Sequence, residues 1–177
     1  MGKSIRGWQV AGFLFTSVLG TLLHFLFDFS GQQVLAALFS AVNESIWEHM
    51  KLIFYPMVLF AFLDSHYIGK TTGAFWCIKL TGILLGLALI PVLYYTYTGI
   101  FGVSLSVLNI AIFFLAAGVA YWVETVLFLR DVSCRISPRA VFCLLLLIGA
   151  VFVLFTFFPP QIPFFEDPIT GTYGFPG

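Results

Sequence analysis

The sequence predicts an all-α protein, a polytopic membrane helix bundle of about five transmembrane helices. A short interfacial or re-entrant helix and an irregular outer C-terminal tail complete it. Three observations carry this prediction. The 177 residues are 60% hydrophobic and only 9% charged, and the mean hydropathy is +1.04. A soluble domain of this size has too little interior to hide that much apolar surface. Apolar runs recur at 7–27, 45–64, 72–97, 102–129 and 138–158, each near the ~20 residues an α-helix needs to cross a bilayer. A single integral membrane domain over 1–177 follows, with the lipid bilayer as its partner and no role for nucleic acid.

The first run follows Lys3 and Arg6 and resembles a signal peptide, but it is long and no small-residue cleavage site comes after it. It reads as a retained first helix. Within 31–42, the apolar core Val34 to Phe39 is too short to cross and reads as the interfacial or re-entrant helix. The next run opens with Ser45-Ile46-Trp47-Glu48, a capping box in which Ser45 takes a free backbone N–H and acid in the first turn suits the helix dipole. Pro56 and Pro91 mark possible breaks in the second and third spans. The tail, 159–177, is rich in proline with turn signals at Asp167-Pro168 and Thr170-Gly171; it is predicted to fold over the outer mouth as a lid.

Basic residues orient the bundle. Lys3, Arg6, Lys70, Arg130, Arg135 and Arg139 all fall on one side of a five-span arrangement, which predicts a cytoplasmic N-terminus and an outer C-terminus in a plasma membrane. The outer face then gathers Asp28, Glu44, Glu48, Glu166 and Asp167 against Lys51 alone, and such a face attracts cations. Cys77, Cys134 and Cys143 fall in the cytoplasmic half, so free thiols are expected.

The segment Asn43 to Lys51 places two acids, a histidine, a lysine and an asparagine in nine residues where a span begins. Ionisable groups there are costly unless paired, hydrated or bound to something. At about 100° per residue, Glu44, Glu48 and Lys51 share one helix face, and His49 points about 140° away from Glu44. His24 and Asp28 sit at i and i+4 near the outer end of the first helix, at similar depth. If the two stripes face each other, His24, Asp28, Glu44 and Glu48 form a ligand set suited to a divalent metal such as zinc, manganese or iron. Glu48, Glu44 and Lys51 are the candidate catalytic groups. Asn43, His49, Asn109, Asp167 and Tyr173 are candidate ligand-binding residues around them.

Several of these residues also have plain structural readings. Trp47 and the Tyr94, Tyr95, Tyr97 group suit an aromatic belt, and Asn109 suits a helix bridge. Deeper in the membrane, Lys79 and Glu124 lie at matching depth and predict an intramembrane salt bridge. Asp64 and His66 read as solvated residues at the loop edge. Gly82-x-x-x-Gly86 offers a close-packing helix face that would suit a homo-oligomer.

Val42-Asn43-Glu44-Ser45-Ile46-Trp47-Glu48-His49-Met50-Lys51 together with Phe165-Glu166-Asp167-Pro168-Ile169-Thr170-Gly171-Thr172-Tyr173-Gly174 resembles a family of small multi-pass bacterial membrane proteins of unknown function. The resemblance spans nearly the whole chain. It implies a bacterial inner-membrane protein and transfers no activity. Three function classes remain open: a metal-dependent membrane hydrolase or transferase, a carrier or binding protein for a cation or small polar solute, and a non-catalytic partner subunit. The leading expectation is an acidic polar pocket at the outer face that binds a cation, a metal or a small polar ligand.

Overall fold

A computed structural model of the protein describes residues 2–69, 72–130 and 132–176, with side chains from residue 4 onward. Lys70 and the Lys3 side chain, both used in the orientation argument, lie outside the described residues. The order of elements is α1 (Gly2–Phe29), α2 (Val34–Ala37), α3 (Ile46–Tyr67), α4 (Phe75–Phe101), α5 (Ser106–Leu129) and α6 (Pro138–Phe157). All but α2 are long and apolar enough to cross a membrane. The protein is an integral membrane protein, a helical bundle whose outward side chains meet lipid.

The five long helices run alternately up and down. α4 packs along α5, α1 lies against α3 and α5, and α3 completes the core against α4, while α6 touches α3 and α4. Small residues bring the helices close. Ala116, Ala117 and Ala120 of α5 are wholly buried. A side chain at Gly82 would run into Glu124, and one at Gly86 would meet Ile53 of α3. The glycine face proposed from sequence for a second copy is therefore occupied within the chain. Without a hydrophobic force between helices in lipid, such close packing is a main source of cohesion.

Helix ends follow local chemistry. Ser45 caps α3 by accepting from Glu48 N, and Ser137 caps α6 by accepting from Ala140 N, with Pro138 in the first turn. α4 stops at Gly102, whose φ of 70° is left-handed. α3 and α4 run continuously through Pro56 and Pro91. α2 is a single turn with Ala36 and Ala37 buried and Leu35 exposed.

Arg6, Arg130, Arg135 and Arg139 are exposed at the end of the bundle where α1, α4 and α6 begin. At this basic end Cys77 and Cys134 lie side by side, with Cα atoms 6.2 Å apart, and Cys143 is exposed. The loop before α6 folds back onto the first turn of α4, a return that a sequence separation of 57 does not reveal.

Candidate functional site

At the opposite end, α1 finishes, α3 begins and the C-terminal tail returns. The tail is an ordered turn: Glu166 and Tyr173 form an antiparallel bridge, and Tyr173 Oη donates to Glu166 Oε2 at 3.0 Å. Asp167 is buried and its Oδ1 accepts from the backbone N–H groups of Ile169 and Thr170. The Asp167 and Tyr173 side chains are thus spent on the shape of the tail. Its docking is aromatic and polar. The Trp47 ring lies 5.0 Å from Phe165 and 6.0 Å from Phe164, Trp47 N donates to Phe164 O at 3.3 Å, and Asn43 Nδ2 donates to Gly174 O at 3.2 Å.

Beneath the tail lies a fully buried ionic node. Lys51 Nζ is 2.6 Å from Glu48 Oε2 and donates to Thr156 Oγ1 at 2.9 Å and Ala37 O at 3.0 Å. Every ammonium hydrogen therefore has a partner. Glu48 accepts from Thr156 Oγ1 at 2.8 Å and Val42 N at 3.1 Å. Glu48 thus does not close the reciprocal half of the capping box; Asn43 Oδ1 instead accepts from Ser45 N at 3.0 Å. The node joins α2, α3 and α6 and faces neither cavity described below.

A second group forms at the edge of the bundle. Glu44 precedes the Ser45 cap, so its side chain does not follow the α3 face on which the helical projection placed it. It turns between two imidazoles: His24 Nε2 is 3.5 Å from Oε1, and His49 Nε2 is 3.4 Å from Oε2. One ligand atom from each of His24, Glu44 and His49 lies within 4.8 Å of the other two. This corrects the expectation that His49 diverges from Glu44. Asp28 is exposed, and neither it nor Glu48 belongs to this convergent group; the set His24, Asp28, Glu44, Glu48 read from sequence is not assembled. Asp28 lies a full turn past His24 on α1, and Glu48 is turned inward to Lys51.

Hydrogen bonding prepares one imidazole. His49 Nδ1 is 2.8 Å from Ser45 O, and since a carbonyl only accepts, Nδ1 carries the hydrogen. In the neutral ring the Nε2 lone pair then points at the group, the arrangement common in metal-ligating histidines. The hydrogen bond with His24 holds the Glu44 carboxyl below its ordinary range; burial opposes this and the nearby His49 adds to it.

Two openings flank the group. A cavity of about 160 Å³ is walled by His24, His49, Leu52, Asn109 and Phe113, with the exposed Phe25, Ile110 and Phe114 at its edge. A smaller pocket on the other side is lined by Glu44, His49, Tyr94 and Asn109. Asn109 borders both, and is itself held by Tyr97 Oη, which donates to its Oδ1, and by Ser104 Oγ, to which its Nδ2 donates at 3.2 Å.

The chain belongs to a family of unknown function, DUF6512. The family model matches residues 2–175. Neither a curated protein nor a solved structure matches the chain.

Toward the basic end, Lys79 and Glu124 meet as the sequence suggested, Nζ lying 2.7 Å from Oε2. Asp64 joins them, with Oδ2 2.5 Å from Nζ. It is wholly buried, correcting its reading as a solvated loop residue: α3 continues to Tyr67, so Asp64 lies inside its last turn. His66 is exposed as expected.

Proposed function

We propose that this protein binds a divalent transition metal, zinc in the first instance, through His24, Glu44 and His49, and that it is a metal-dependent membrane hydrolase acting on a substrate that enters from the bilayer. The observation that carries the reading is the convergence of two imidazole Nε2 atoms on the two oxygens of one carboxylate at 3.5 and 3.4 Å. Ligands bound tetrahedrally at about 2.1 Å stand about 3.4 Å from one another; one ligand atom from each of the three residues lies within 4.8 Å of the other two, so the three side chains draw together to hold zinc. Two histidines and a carboxylate leave a coordination position open for water, and zinc brings bound water to a pKa near ~7.

The apolar 160 Å³ cavity beside both histidines gives that position access from the hydrocarbon side. Asn109 offers a polar group at the same wall. By the positive-inside rule the site lies on the outer face of the membrane.

Cobalt(II) in place of zinc tests the reading. The purified protein in detergent is expected to give the intense visible absorption of tetrahedral cobalt, lost in His49→Ala and in His24→Ala and retained in Asp28→Asn. An alkyl hydroxamate, which chelates an open metal position, is expected to change that spectrum. Cobalt that remains hexa-aquo in the wild type overturns the metal site. Tetrahedral cobalt that the hydroxamate leaves unchanged overturns the hydrolase reading alone, because the metal then has no open position.

A further inference from the structure

The buried cluster near the basic end has an uneven count of charges. Asp64 from α3 and Glu124 from α5 share the single ammonium of Lys79 from α4, at 2.5 and 2.7 Å. All three residues are at most 1% exposed. The four rings of Phe60, Phe75, Tyr121 and Phe128 surround Nζ with centroids 5.5 to 5.8 Å away, and their faces favour the charged ammonium. Two carboxylates and one ammonium leave a formal charge of minus one in the bundle interior. An uncompensated charge there is strongly disfavoured, because no solvent replaces the lost hydration.

Among the described residues, no neighbouring element supplies the missing charge. α1 contributes Gln9, whose Nε2 donates to Asp64 Oδ2 at 3.3 Å. α5 also contributes the Tyr121 hydroxyl, which is engaged with Thr16 Oγ1 at 2.9 Å. Among the described residues, no other cation pairs with Asp64 or Glu124.

Hydrogen bonding is uneven in the same sense. Asp64 Oδ1, Glu124 Oε1 and Gln9 Oε1 are buried without partners. All three are acceptors, so the cluster is short of a donor as well as of positive charge. One proton supplies both.

We propose that the Asp64–Lys79–Glu124 triad is a proton-binding site. One proton from solvent forms an O–H bond to a carboxyl oxygen, and the cluster passes from minus one to neutral. The two carboxyls hold the proton as a pair. The triad ties α3, α4 and α5 together, with Gln9 reaching in from α1, so proton release leaves a net charge at the contact of four helices. Proton occupancy is thereby linked to how these helices pack, independently of any metal at the other end of the bundle.

Infrared spectroscopy of the full-length protein in lipid nanodiscs tests this, by the carbonyl stretch of a protonated carboxyl and its shift in D2O. The wild type at neutral pH is expected to show one such buried carboxyl per chain, unchanged by sodium. Asp64→Asn and Glu124→Gln are each expected to abolish it, because the remaining carboxylate pairs one to one with Lys79. Lys79→Met is expected to double it. If the variants fail to fold, the wild-type spectrum decides. A neutral-pH wild type with no protonated carboxyl, or a Glu124→Gln protein that keeps the band undiminished, overturns the proposal.

Discussion

Replacing Lys51 by methionine tests how the site is supported. Lys51 is fully buried, and its ammonium holds Glu48 at 2.6 Å, Thr156 at 2.9 Å and the Ala37 carbonyl at 3.0 Å. Methionine keeps most of the side-chain volume and removes the charge. Glu48 is then left buried with only the Thr156 hydroxyl and the Val42 N–H to stabilise it. Breaking a buried ion pair from one side costs about 3–5 kcal/mol. At about 1.4 kcal/mol per factor of ten, that is roughly a hundredfold to a few thousandfold in the folding equilibrium. The companion change Glu48→Gln removes the stranded charge, so the double variant is expected to recover much of the loss. Unfolding in mixed micelles with increasing denaturing detergent, followed by tryptophan fluorescence, measures all four members of the cycle. A Lys51→Met cost below about 1 kcal/mol, or a double variant no more stable than the single one, would refute the reasoning, since neither is compatible with a desolvated pair.

Three further outcomes are expected. Because the Glu44 carboxyl is held below its ordinary value of 4.5 by His24, its contribution is fully present above that value and is lost as pH falls through the lowered one. Over the acid range the thermal-midpoint difference between wild type and Glu44→Gln should therefore shrink as pH falls below the usual carboxylate range; a difference that is constant through that range contradicts this. Trp47→Ala removes the ring contacts with Phe164 and Phe165. At about 1 kcal/mol per aromatic pair, limited proteolysis read by mass spectrometry should cleave the tail at least about fivefold faster, whereas an unchanged rate means that the tail is held elsewhere. Zinc at a hundred times its dissociation constant should stabilise the wild type by about 2.7 kcal/mol; in a thermal-shift assay His49→Ala should gain nothing.

Hydropathy placed the five long helices because each carries its own signal along the chain, and the Ser45 cap was readable for the same reason: its partner is three residues away. What failed depended on where a helix starts or where the chain returns. Helical projection linked Glu44 to Glu48 and separated it from His49, but Glu44 stands before the cap, where the 100° rule has no force. Glu48 and Lys51 share a face as expected. Their third partner, Thr156, is 105 residues from Lys51 and has no charge to draw attention to it. Asp64 looked like a loop residue because the apolar run ends there, yet the helix continues for three more residues and carries it into the core. The tail's two functions, an internal turn through Asp167 and docking through Phe165, were each suggested by composition, but their partners Trp47 and Asn43 were not assigned.

The central claim is that His49, and neither Glu48 nor Asp28, completes a metal site with His24 and Glu44. Its most direct test is the metal content per chain, by inductively coupled plasma mass spectrometry, of protein purified after zinc loading and removal of free metal. One bound zinc per chain is expected for the wild type and for Asp28→Asn, and essentially none for His49→Ala. Equal zinc in wild type and His49→Ala, or none in the wild type, would contradict the account.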